Sequence, residues 1–232
     1  MSAVARKADN PAMLLRQRLA FCIIALTIAF SSAVLWAAKE FVPPKAANAY
    51  TYPSKDSHPN EKVTAAVDVY NTAPKDDIFI THYNQEGILP VLLVISNDGE
   101  QPITLKDMRA QLVTARRTKL EALDVDDVFR RVAHIQGSSN PHPVGPIMLP
   151  GGTKNKKAQQ QYDEIMRAHF TAEAVEPHST KSGFLFFDVE DVKQPVAGAH
   201  VYLTGVRGSD GNELMYFEIP LIGPNAASPG GQ

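Results

Sequence analysis

The chain has 232 residues, 23 basic and 25 acidic side chains, a net charge of −2 and an ordinary globular composition. That balance excludes wholesale disorder and a multi-span membrane protein. The charge is unevenly placed: Arg6, Lys7, Arg16 and Arg18 stand against Asp9 alone in residues 1–18, and the rest is mildly acidic. An acidic remainder lacks the basic footprint that nucleic acid needs, so no nucleic-acid partner is expected.

Residues 1–18 read as a short cytoplasmic N-terminus. Residues 19–38 (LAFCIIALTIAFSSAVLWAA) then carry no charge. As a helix this stretch spans about 30 Å, the hydrocarbon thickness of a bilayer, and satisfies its own backbone amides there. Trp36 falls at the outer interface, and Arg16 and Arg18 abut the inner end. The positive-inside rule therefore puts the N-terminus in the cytoplasm and the remainder in the periplasm or outside the cell. The expected location is the inner membrane, as a single-pass protein contacting the bilayer through residues 19–38. A cleaved signal peptide is the competing reading, because Ala47-Asn48-Ala49 has the small-x-small pattern of a cleavage site; the domain is exported either way. The single cysteine, Cys22, lies within the apolar stretch behind the bulky Phe21, which does not fit a lipid-acylation site. The exported part thus has no thiol and folds by burial alone.

Residues 39–62 mix prolines, small and polar residues without periodicity and read as a linker. A β-rich domain is expected over 63–222. In VTAAVDVY (63–70), Val63, Ala65, Val67 and Val69 share one face. A short strand is expected at 78–82. GILPVLLVISN (87–97) is the strongest strand, closed by the turn Asn97-Asp98-Gly99. Further strands are expected at 103–105, 108–114 and 120–123. A helix is predicted at 124–135, with Asp124 as N-cap and Val125, Val128, Phe129 and Val132 at helical spacing. Residues 137–152, rich in proline and glycine, form an irregular loop. A second helix at 154–172 places Ala158, Tyr162, Ile165, His169 and Ala172 on one stripe. Strands resume at 182–189, 200–206 and 213–221, the last two joined by a hairpin through Asp210-Gly211. Residues 223–232 read as a frayed tail. The fold class expected is mainly β: an immunoglobulin-like antiparallel β-sandwich with a helical insertion over about 124–178, preceded by one transmembrane helix.

The segments GILPVLLVISNDGEQPITL, VEPHSTKSGFLFFDV and YLTGVRGSDGNELMYFEIPL carry a resemblance. Over roughly residues 60–222 the chain resembles a group of uncharacterised bacterial envelope proteins with an N-terminal signal or anchor and one immunoglobulin-like domain. The resemblance implies fold and location, and it supplies no functional residues.

Chemical signatures are sparse. The seven histidines, His58, His82, His134, His142, His169, His178 and His200, show no H-E-x-x-H or other short ligand spacing. Those in or beside the insertion leave a metal-handling accessory or assembly factor as the alternative function. Glu121, Asp124, Asp126 and Asp127 lack the glycine-centred loop of a calcium site and suit a helix start better. No G-x-S-x-G elbow, Walker or dinucleotide glycine pattern occurs. No enzyme, cofactor, metal or catalytic residue is therefore expected, and a hydrolase is the remote option.

The two strongest strands are apolar on both sides: Leu89, Val91, Leu93 and Ile95 oppose Leu92 and Val94, while Phe184 and Phe186 oppose Leu185, Phe187 and Val189. A strand with one wet face should alternate with polar residues, so something covers the second face. The simpler cover is the amphipathic insertion helix. The sharper one is another envelope protein or a second copy, which would make Leu92, Val94 and the loop residues Pro141, His142 and Pro143 a partner surface. The leading expectation is an anchored module for protein binding or support of a membrane complex.

Overall fold

The structure, a computed structural model, describes residues 40–134, 154–214 and 216–222. The predicted anchor, the proline- and glycine-rich loop and the C-terminal tail lie outside them. Among the described residues no helix is long and apolar enough to cross a membrane.

The domain is mainly antiparallel β-sheet. In chain order it contains β1 (Lys55–His58), β2 (Val63–Val69), the single turn α1 (Ala73–Asp76), β3 (Ile88–Asn97), β4 (Ile103–Thr104), β5 (Arg109–Val113) and β6 (Lys119–Glu121). Then come α2 (Val125–Val132), α3 (Lys154–Ala168), β7 (Ala174–Val175), β8 (Ser179–Asp188), β9 (His200–Thr204) and β10 (Phe217–Pro220). One four-stranded sheet runs β1-β2-β3-β8, a second β10-β9-β5-β6, and β4 pairs with β7.

Register follows from the apolar pattern, because a slip of one residue would turn each side chain to the opposite face. Leu93 stands opposite Val67 on one side and Gly183 on the other. Val63, Ala65, Val67, Leu89, Val91, Leu93, Leu185 and Phe187 of the first sheet thereby meet Ala110, Leu112, Val201, Leu203, Phe217 and Ile219 of the second in one buried cluster. At one edge the sheets are joined directly: Glu218 donates its N–H to Asp56 Oδ2 at 2.9 Å, and the His58 ring stacks on Phe217 at 4.1 Å.

The other face of the first sheet supports a second core. Ala66, Leu92, Val94, Phe184 and Phe186 pack with Val128, Phe129 and Val132 of α2, Ile165 and Ala168 of α3, and Phe41, Ala49, Phe79 and Tyr83 from irregular segments. α2 starts where the sequence indicates: Asp124 Oδ1 accepts the Asp127 N–H at 2.8 Å, Asp126 and Asp127 occupy the first turn and Arg130 and Arg131 the last.

Three expectations are corrected. Residues 39–62 do not form a linker throughout. Phe41 is 3% exposed and Ala49 fully buried, residues Ala49–Thr51 form a 3₁₀ turn, and Lys55–His58 pairs with β2. β1 reads KDSH, polar throughout as befits an edge strand, so no alternation announces it. Residues 78–82 are not a strand. Phe79 and Tyr83 both turn into the second core, and a side chain on α3 takes up the backbone donors between them. The strand expected over 213–221 is also shorter, covering Phe217–Pro220.

Candidate functional site

Leu92 and Val94 are 3% and 0% exposed, covered by the chain's own helices and aromatic residues. They offer no surface to a partner. The cover is an aromatic network: Phe41 stacks on Phe79 at 5.5 Å, and Phe79 meets Phe184 and Tyr83 edge-on at 5.0 Å each. Tyr70 stands edge-on to Phe184 at 4.8 Å, and Tyr83 lies 4.9 Å from Phe186. Edge-to-face geometry at these separations adds to the gain from burial itself. Pro141, His142 and Pro143, the other predicted contact residues, lie outside the described residues.

Glu164 of α3, 2% exposed, fastens this cover. Its carboxylate accepts the N–H of Ile80, the N–H of Thr81 at 3.0 Å and the hydroxyl of Tyr83 at 3.0 Å. A buried charge is tolerable only with such saturation by donors. Burial, and then the neighbouring Glu164 charge, hold the Tyr83 hydroxyl protonated far above its ordinary range. The donors come from the segment expected to be a strand, and they have a carboxylate in place of a neighbouring strand. Sequence reasoning missed Glu164; the available signal was its place beside Ile165, three residues from Gln161 and four from Ala168, on the buried side of α3. The arrangement anchors structure and presents no open substrate position.

The second sheet differs. β5, β9 and β10 alternate strictly, so Ala110, Leu112, Val201, Leu203, Phe217 and Ile219 point inward and the intervening residues outward. Paired registers set two outward rows across the sheet. One is Glu218–Tyr202–Gln111–Glu121 and the other is Pro220–His200–Val113–Lys119. Tyr202 donates its hydroxyl to Glu218 at 2.5 Å, and Gln111 donates to Glu121. The Glu218 bond, above all, pushes the Tyr202 hydroxyl up. Tyr216 is half exposed, its ring 6.0 Å from Tyr202, and His200 lies 6.4 Å from Tyr202 on the other side. This aromatic, hydrogen-bonding strip has no cover among the described residues.

Two further places were candidates for chemistry. A cleft of about 670 Å³ is lined by Asn71, Asn84, Glu86, Arg131, His134 and Glu190, among others. Its one guanidinium, Arg131, is already engaged by Asp188 and Glu190, and Glu190 chiefly raises its pKa. His134 lies 3.6 Å from Glu86. The cleft's charges are thus paired internally. The remaining described histidines do not gather: His82 faces Asp76 at 3.4 Å, His169 faces the Leu123 carbonyl at 3.4 Å, and His178 faces Glu100 at 3.3 Å. Among the described residues no group of three or more histidine, cysteine, aspartate or glutamate side chains could hold a metal ion.

Comparison with known proteins yields neither a matching family model nor a matching curated protein. One solved structure, of a conserved hypothetical protein from Bacillus anthracis, is similar over 72% of this chain and 92% of its own at 12% identity, with a TM-score of 0.31.

Proposed function

We propose that the chain is a single-pass membrane protein whose exported, immunoglobulin-like domain binds a protein partner with the open face of its second sheet. The observation that carries this reading is the contrast between the sheets. One is covered on both faces by its own chain, and the other leaves Tyr202, Tyr216 and His200 outward. Tyrosine offers a large, amphipathic contact area at low entropic cost, the composition that recognition surfaces favour.

The strand order supports the immunoglobulin-like description. If β2, β3 and β8 are taken as A, B and E, the second sheet reads G-F-C-C′ as β10-β9-β5-β6. The place of strand D is then taken by the connection that carries α2 and α3, and β1 extends the first sheet. No disulfide bridges the sheets, since the chain's one cysteine is Cys22.

Retention of the N-terminal segment is favoured over cleavage at Ala49 by the packing of residues 40–49. Cleavage there would remove Phe41 from its stack on Phe79 and its edge-on contact with Phe184. Loss of a buried phenylalanine side chain typically costs about 3–5 kcal/mol. Ala49 itself donates its N–H to Ser96 Oγ at 2.8 Å inside the domain. With the uncharged residues 19–38 retained and the arginines before them, the β-rich domain is assigned to the far side of the membrane.

The test is a pair of measurements on the full chain in its native membrane. A reporter active only outside the cytoplasm, fused after Gln232, should be active, and the protein should resist alkaline extraction. Activity confined to the cytoplasmic form of the reporter would overturn the orientation, and release by alkali would overturn the anchor.

A further inference from the structure

We infer that β6 is the edge through which two copies of this chain join their second sheets. A free strand edge presents a row of unpaired backbone groups, and proteins ordinarily close it. Elsewhere the chain meets its own sheet edges. On β10 the Glu218 N–H is taken by Asp56, Pro220 has no N–H to offer, and beside it the Ile222 N–H goes to Ser54 Oγ at 3.1 Å. On β8 the carbonyls of Phe184 and Phe186 accept the N–H groups of Phe170 and Leu123. β6 differs. Thr114 donates to the Thr118 carbonyl and Ala122 to the Ala110 carbonyl, so the alternating ladder makes Leu112 and Leu120 a bonded pair. Lys119 and Glu121 therefore turn their backbone N–H and C=O away from β5, and these groups have no hydrogen-bond partner among the described residues.

Charge selects a second copy as the occupant. Antiparallel pairing of β6 with itself, about a twofold axis between the two Leu120 residues, sets Lys119 of each copy opposite Glu121 of the other. The outward backbone groups of the two strands then find their complements. The neighbouring registers that also pair those groups set Lys119 against Lys119 or Glu121 against Glu121, and like charges directly opposite repel. One register survives. Both side chains are exposed, and Gln111 donates to Glu121 from β5, which holds the carboxylate on the outer face of the sheet. Leu120 points the other way and packs against the core between the sheets. Because the strand is short, the contact is small and the association reversible. Pairing makes one continuous sheet from two four-stranded ones. The outward row Glu218–Tyr202–Gln111–Glu121 of one copy then runs into Lys119–Val113–His200–Pro220 of the other. The pairing depends on neither the anchor nor the face proposed above for a protein partner.

The test uses the full chain with Cys22→Ser and Leu120→Cys, treated with a mild oxidant in whole lysates of the cells that express it. The two residues at position 120 form a non-hydrogen-bonded antiparallel pair, whose close spacing a disulfide can bridge. A disulfide-linked dimer is expected, reduced several-fold by Lys119→Glu and restored by Lys119→Glu combined with Glu121→Lys. Restoration separates lost complementarity from misfolding. With Leu120 intact, a carbodiimide, which joins an amine to a carboxylate, should give a dimer whose peptides show Lys119 of one copy linked to Glu121 of the other. Dimer yield indifferent to Lys119→Glu, or equal yield from Thr204→Cys in the middle of the sheet, would overturn the pairing. So would Lys119 or Glu121 linked to a different protein in place of a second copy.

Discussion

The two sheets use the same strand physics to opposite ends. In the first, β3 and β8 are apolar on both faces, and the chain pays for that with helices, turns and an N-terminal segment folded over Leu92, Val94, Phe184 and Phe186. In the second, β5, β9 and β10 alternate, one core serves them, and the outward residues stay wet. Continuous apolar strands therefore mark a face the protein closes for itself, and the alternating sheet has an outer face that no described residue covers.

The sharpest way to break this contrast is to cut into the closed face. Phe184→Ala should cost about 3–5 kcal/mol in denaturant unfolding, because the ring is a hub of the aromatic network. A loss under about 1 kcal/mol would mean that the helical layer is loosely held. Next comes the fastening. Glu164→Ala leaves the N–H groups of Ile80 and Thr81 and the Tyr83 hydroxyl without their acceptor, at about 1–3 kcal/mol for each donor that water does not reach. Glu164→Gln keeps one acceptor oxygen and should recover part of that loss in the same unfolding assay.

Alkaline pH probes the same layer. Burial, followed by the charges of Asp68 and Tyr52, pushes the Tyr70 hydroxyl from 10.0 to about 12. An acid whose pKa is raised by folding stabilises the fold fully below its unfolded value. Between pH 10 and about 12 the unfolded chain ionises first, so stability falls across that window. Tyr70→Phe should flatten this fall in a pH series of melting temperatures, and an unchanged slope would count against the cause given. The smallest effect belongs to the open face. Tyr202→Ala and Tyr216→Ala should each change stability by no more than about 0.5 kcal/mol, as surface substitutions do, while weakening partner capture.

Legibility in the sequence tracked apolar pattern. β2, β3 and β8 announce themselves through Val63–Val69, Ile88–Asn97 and the Phe184–Phe187 run, and α2 through its Asp124 cap. What pattern does not encode was missed. β1 is polar and held by backbone pairing to β2. Phe41 joins the core from a proline-rich segment without periodicity. Residues 78–82 look strand-like, yet their backbone donors are satisfied by a carboxylate more than eighty residues away along the chain. Leu92 and Val94, two of the expected contact residues, are buried for a related reason. The doubly apolar strands drew attention to Leu92 and Val94, whereas the ordinary alternation in β9, with His200, Tyr202 and Thr204 outward, marked a face that no described residue covers.

The contrast between the sheets is tested most directly by photo-crosslinking the full-length protein in its native membrane, with the photoreactive residue at Tyr202 in one form and at Asp126, in the first turn of α2, in another. The account predicts a discrete adduct with another protein from position 202 that is lost when Tyr216→Ala is added, and none of that mass from position 126. Adducts from 126 but not from 202, or none from 202 under several illumination conditions, would contradict it.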